Sequence, residues 1–231
     1  MLTNRRSCIS LYAILLLTAT TLCAKKIRNP TTRRLREAGT VVSEIMAAPD
    51  KGIPHDLLEK AHCVVVVPGL KKAAFVVGGE FGKGFITCRK GHADWSAPGA
   101  IRIEGGSFGF QIGGTEIDLV MLVMNERGAD RLLSTKFTLG GESEVAAGPV
   151  GRSATAQTDA AMTAEILSWS RSRGIFAGIS LQGATLRQDL DDNAALYEKK
   201  LDNREIVRGA VVPPKAASRL LKTLSQYPSV S

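Results

Sequence analysis

Twelve of the chain's 23 glycines fall between Gly69 and Gly114, interleaved with short runs of β-branched and aromatic residues. That density of glycine is incompatible with a long helix and suits strands joined by tight turns, bulges and close sheet packing. Residues 63–67, 73–77 and 85–88 read as the first three strands, punctuated by Gly69, Gly78, Gly79, Gly82 and Gly84, and residues 100–103, 107–112 and 116–124 as three more. A helix over 127–134 interrupts the series, which resumes around Phe137, Val145, 154–157 and 175–181. Upstream, a helical period opens at Thr31 or Thr32, either able to cap it, and ends before Pro49; a second short helix fits 54–61, with Pro54 in its first turn. The tail is helical again over 193–199, 204–208 and 215–224. Helix, many strands, then helix predicts an α+β fold. Its expected form is a single, strongly curved antiparallel sheet, barrel- or sandwich-like, flanked by N- and C-terminal helices.

Charge is distributed unevenly. Residues 1–36 hold no acid and eight bases, Arg5, Arg6, Lys25, Lys26, Arg28, Arg33, Arg34 and Arg36. Since the whole chain has 30 Lys+Arg and 22 Asp+Glu, the other 195 residues carry 22 of each and the formal +8 sits entirely at the N-terminus. With 44% hydrophobic and 23% charged residues, the composition excludes a polytopic membrane protein, a disordered chain and a disulfide-dense miniprotein. One domain with its own core fits 231 residues.

The N-terminus has the layout of a secretory signal, Arg5 and Arg6 ahead of an apolar stretch over 9–24 that is short for a membrane span. Cleavage after Ala24 by an ordinary signal peptidase is the expected processing, with acylation of Cys23 or an uncleaved anchor as alternatives; each leads to export, to a periplasmic or secreted location peripheral to a membrane. The resulting division is a signal over 1–24, a basic arm over 25–36, a domain over 31–225 and a tail over 226–231. In the helix after the arm, Leu35, Ala38, Val42, Ile45 and Met46 share one face. Such an amphipathic helix either lies in a membrane interface or covers the domain's own sheet, the second being the commoner use. Basic charge in a first helical turn opposes the macrodipole, so Arg33, Arg34 and Arg36 are poorly explained by helix stability. They suit an anionic surface, or else form part of a solvated leader.

Several segments together resemble the SYLF domain family: DKGIPHDLLEKAHCVVVV from Asp50 to Val67, GEFGKG from Gly79 to Gly84, DWSAPGAI from Asp94 to Ile101, GFQIGG from Gly109 to Gly114, TLGGESEVAAGPVGR from Thr138 to Arg152 and SRSRGIFAGISLQGA from Ser170 to Ala184. The resemblance covers about 31–225. It implies binding rather than catalysis, since members bind phosphoinositides or other anionic phospholipids and some fungal members bind actin filaments. Carried onto this sequence, the lipid-contacting helix would offer Arg33, Arg34 and Arg36, with Lys25, Lys26 and Arg28 as an arm particular to this chain. Lys71 and Lys72, at a predicted turn, would extend the surface. The leading expectation is therefore a non-enzymatic module that docks to anionic phospholipid membranes. The alternative is a protein-interaction or structural envelope module whose arm binds an acidic partner such as a filament.

Enzyme signatures fail on their own chemistry. Gly105-Gly106-Ser107-Phe108-Gly109 matches a nucleophile elbow, but that motif needs a following helix and a later His, and His55, His62 and His92 all precede Ser107. No phosphate cradle has its full glycine set, and the calcium-like run from Asp189 has Ala194 and Lys200 where Gly and Glu are required, so it reads as a helix cap. No cofactor is expected. His62, Cys63, Cys88 and His92 form the one conceivable metal set; in a three-strand meander Cys63 and Cys88 fall at opposite ends of the sheet, which predicts two separate buried thiols and no metal site. Nucleic acid is not an expected partner, because no aromatic residue occurs from Lys25 to Ala74 to stack on bases. Trp95 and Trp169 are expected to pack against the sheet.

Overall fold

The computed structural model describes residues 29–48, 52–75, 77–107, 113–141, 144–150, 164–172, 175–179, 181 and 183–229. The expected signal, Lys25, Lys26, Arg28 and the strand expected over 154–157 lie outside them.

Helix α1 spans Pro30–Met46. Asn29, rather than Thr31 or Thr32, caps it, accepting from the Thr31 and Thr32 N–H groups, and Pro30 takes the first helical position, where a missing N–H costs nothing. Helix α2 (His55–Lys60) follows. Two long strands come next, β1 (Cys63–Phe75) and β2 (Val77–Cys88), where the glycine punctuation had suggested three short ones. Then follow β3 (Gly99–Ser107), β4 (Gly113–Val123), α3 (Glu126–Leu132), β5 (Lys136–Thr138), β6 (Val145–Ala147), β7 (Ile166–Ser172), β8 (Ile175–Gly178) and β9 (Thr185–Gln188). Helices α4 (Leu190–Tyr197), α5 (Asn203–Arg208) and α6 (Ser218–Leu224, preceded by a 3-10 turn over Lys215–Ala217) close the chain. Ser107 ends β3, in register with Gly78 of β2.

The nine strands form one strongly curled sheet in the order β5-β9-β3-β2-β1-β4-β7-β6, with β8 paired to β7. The α+β expectation holds, with one exception to antiparallel pairing, β6 beside β7. Alternation along β1 separates two apolar layers. Val64 and Val66, with Phe85, Val120, Leu122 and Trp169, face α1 and α6. Cys63, Val65 and Val67, with Ile86, Ile101, Ile103, Met121 and Phe137, fill the inside of the curl. Trp95 and Trp169 are both buried, as sheet-packing residues should be.

Because β1 and β2 form one continuous hairpin, Cys63 and Cys88 are register partners and are joined by a disulfide, with Cα atoms 3.9 Å apart. The expectation of two separate thiols is thereby corrected: counting three strands had placed the two residues at opposite ends of the sheet. Arg89, next along, donates to the carbonyls of Leu58, Ala61, His92 and Tyr227 and lies 4.4 Å over the Trp95 ring. It thereby ties α2 and the segment after α6 to the end of β2. Removing a disulfide from a small domain costs about 2–4 kcal/mol. We therefore expect C63A/C88A to lower the unfolding free energy by that amount in denaturant titrations, and peptide mapping after non-reductive alkylation to find both cysteines of the natural chain unlabelled.

Candidate functional site

Helix α1 is fixed at both ends by charged groups, and these also shape the surface beside it. At its start, Arg34 lies 2.7 Å from Asp192 and the Thr31 hydroxyl donates to the same carboxylate at 2.9 Å, while the Asn29 amide donates to the Ala195 carbonyl. From β2, Lys83 reaches Asp189 at 2.7 Å and Asp192 at 3.4 Å. Asp189 is only 1% exposed and also caps α4, accepting from the Asp192 N–H, the role expected from sequence. Burial pushes the Asp189 carboxyl up, but the Lys83 ammonium and the Asp192 N–H outweigh it and hold its pKa below the ordinary value. For Lys83, burial works downward and the two aspartates prevail, leaving its pKa raised.

Farther along α1, Glu44 pairs with Arg171 of β7. Arg171 in turn donates to Asp118 of β4, its Nε at 2.8 Å and its other guanidinium nitrogen at 2.6 Å. Asp118 also accepts from the Gly69 N–H at 3.0 Å. Gly69 sits at the β1 bulge with φ +63°, a left-handed conformation, and a Cβ there would come within 2.8 Å of Glu116. Between these two anchor points a cleft of about 610 Å³ opens, lined by Arg33, Glu37, Lys71, Phe81 and Glu116 among others. On its floor Glu116, Lys71 and Phe81 are consecutive register partners across β4, β1 and β2. The Phe81 ring is half exposed.

The residues expected to bind lipid are dispersed. Arg33 is 76% exposed and paired with Glu37 at 3.3 Å on the cleft rim. Arg34 is held by Asp192 and is structural. Arg36 is exposed and does not line the cleft. Lys71 and Lys72 lie within β1, not on a turn; Lys71 meets the cleft and Lys72 pairs with Glu80 at 3.3 Å. The apolar face of α1 is not available to a bilayer, because Leu35 is 0% and Val42 3% exposed in the core. Sequence reasoning missed Lys83, Phe81, Asp118 and Arg171. One signal was present, since Phe81, Lys83 and Phe85 alternate onto a single face of β2.

A family described as "Ysc84: Las17-binding protein actin regulator" matches residues 104–227. The chain belongs to the Ysc84 family. This is the SYLF family of its sequence motifs. Among curated relatives, the SH3 domain-containing protein PJ696.02 of Schizosaccharomyces pombe is 36% identical over 177 residues, 75% of this chain and 41% of that protein. The rat SH3 domain-containing YSC84-like protein 1 is 34% identical over 84% of this chain and 56% of its own length. LAS seventeen-binding protein 3 of Saccharomyces cerevisiae is 32% identical over 86% of this chain and 46% of its own. This Ysc84 chain thus spans about half the length of the curated relatives it matches. The names of the family and these relatives describe binding and regulation rather than catalysis.

The sign of the Asp189 shift sets a pH dependence. A carboxyl held below its unfolded pKa stabilises the fold above that pKa, and the contribution is lost as pH falls through the folded value. Asp189→Asn should therefore flatten the decline in stability between about pH 5 and pH 3, and should cost about 2 kcal/mol or more near neutrality by leaving Lys83 short of a partner. Urea titrations of both proteins across that range measure this.

Proposed function

We propose that the chain is a non-enzymatic protein-interaction module that contacts an acidic partner surface. The observation that carries this reading is the burial of α1. A helix whose Leu35, Ala38, Val42 and Ile45 lie in the core cannot insert that face into lipid without breaking the domain. Exposing several such residues costs about 1.5–3 kcal/mol each, of the order of the whole stability of a domain. What α1 offers to a partner is its charged side. Membership of a family described as an actin regulator supports a protein partner, and filamentous actin is the probe that this description supplies.

A second reading rests on the charge distribution. Six bases within residues 25–36 favour electrostatic docking to anionic phospholipid without insertion, at about 1 kcal/mol per engaged base. Export is part of the proposal in either case: the Cys63–Cys88 bond is of a kind that persists in oxidising compartments, and the partner would then be an acidic filament or polyanion of that compartment.

Sedimentation of the full chain with actin filaments, and separately with vesicles of neutral or acidic phospholipid, distinguishes the two. The expected outcome is pelleting with filaments in the absence of lipid, weakening as salt rises. Pelleting with acidic vesicles alone would replace the proposal with the second reading.

A further inference from the structure

Residues 206–231 contain no acid and four bases, Arg208, Lys215, Arg219 and Lys222. In a linear sum these are balanced by acids elsewhere, so the stretch draws no notice. The fold changes its meaning, because α6 packs against α1. Gly39 is the point of closest approach: a Cβ there would lie 2.8 Å from the Leu220 backbone nitrogen and 3.1 Å from the Arg219 Cβ. Arg219 reaches across and donates to the Thr40 hydroxyl at 3.0 Å, and that hydroxyl donates to the Arg36 carbonyl. Arg36 is thus one helical turn from the crossing. On α6 and its leading turn, Lys215, Arg219 and Lys222 have the i, i+4 and i, i+3 spacings that place them on one side. Arg36, Lys215, Arg219 and Lys222 are all exposed. Among the described residues no carboxylate pairs with these four, whereas Arg208 is held by Glu126 and Asp130, and Arg33, Arg34, Lys72, Lys83 and Arg171 are likewise paired.

We infer that Arg36, Lys215, Arg219 and Lys222 form a composite docking face for an acidic protein surface, built by the N- and C-terminal helices together. This rests on the interaction reading above and names the face it uses. The neighbouring cleft is a weaker candidate because four of its bases are already paired, Arg33 with Glu37, Arg34 with Asp192, Lys83 with Asp189, and Arg171 with Glu44 and Asp118. The unmatched face has what charge complementarity requires, several cations held at fixed spacing with no internal competitor.

The test uses the full chain and two probes, actin filaments and polyglutamate, the second being an acidic polypeptide with no fold of its own. K215E/R219E/K222E should bind each probe about tenfold or more weakly while keeping the natural chain's circular dichroism spectrum at the assay temperature, the loss of the exposed Arg219–Thr40 hydrogen bond lowering its melting temperature only slightly. Arg36→Glu alone should weaken binding about threefold. An equal reversal on β5 and beyond α4, K136E/K199E/K200E, should change binding less than about twofold. Equal losses for both triple variants would overturn the face, leaving only bulk charge. If the natural chain ignores filaments but binds polyglutamate through Lys215, Arg219 and Lys222, the filament reading fails and the face stands. Binding to acidic vesicles but to neither polypeptide probe would overturn the face as a protein-docking surface.

Discussion

Strand β1 is the constraint on which the rest of the molecule depends. Its valines alternate into two different apolar layers, Val64 and Val66 beneath the helices and Val65 and Val67 inside the curl. A one-residue slip would exchange the two sets, so the register is fixed from both sides. The disulfide to Cys88 pins the same register covalently at the start of the strand. Midway along the strand the Gly69 bulge brings β1 against Asp118, at the edge of the cleft. The neighbours β2 and β4 carry Lys83 and Asp118, which hold Asp192 and Arg171, the partners of α1, so the helix inherits its position from the central strands.

That position decides what α1 can do. Its apolar face completes a core, and its first turn is held by Asp192 and its later turns by Arg171 through Glu44. These partly buried pairs owe their strength to geometry and to the hydrogen bonds that complete them, and breaking one side leaves a charge without compensation. A helix so held turns outward polar residues whose spacing is set by its packing on the sheet and on α6.

Much of the fold was legible because local signals agreed with it. The helical period through Leu35, Ala38, Val42 and Ile45 and the glycine-broken β-branched runs required only elementary spacing to place the main elements. Failures came where tertiary structure overrode punctuation. Gly78, Gly79, Gly82 and Gly84 read as turns, yet they run within one long strand, and a Cβ at Gly84 would lie 2.1 Å from the Val66 carbonyl oxygen. Gly82 and Gly84 are required by close approach to β1, and mistaking the glycines for turns is what separated Cys63 from Cys88. Strands β7 and β9 carry no comparable punctuation and were missed. The buried pair Asn193 and Asn203, bonded to each other and to the Ala100 backbone, anchors α4 and α5 to β3; two asparagines ten residues apart carry no sequence signature of such a network. The candidate site was less legible than the fold, because a base in the sequence says nothing of whether an acid from a distant strand will neutralise it, as Asp192 does for Arg34.

The same reasoning explains why a count of charges along the chain points to the arm while the folded surface points elsewhere. Opposite charges cancel only when they meet, and several acids meet bases away from α6, Asp118 with Arg171 and Asp189 with Lys83. Part of the surplus is therefore spatial rather than sequential, and one cluster of it lies where the two terminal helices cross at Gly39. A run of bases attracts any polyanion through its net charge, with little discrimination. Cations held at fixed separation by two packed helices favour a surface whose carboxylates match that spacing, and they lose less conformational freedom on engagement. Selectivity of this kind belongs to the folded state alone, so unfolding, or loosening of the α1–α6 crossing, would reduce the face to the indiscriminate attraction that its net charge already provides.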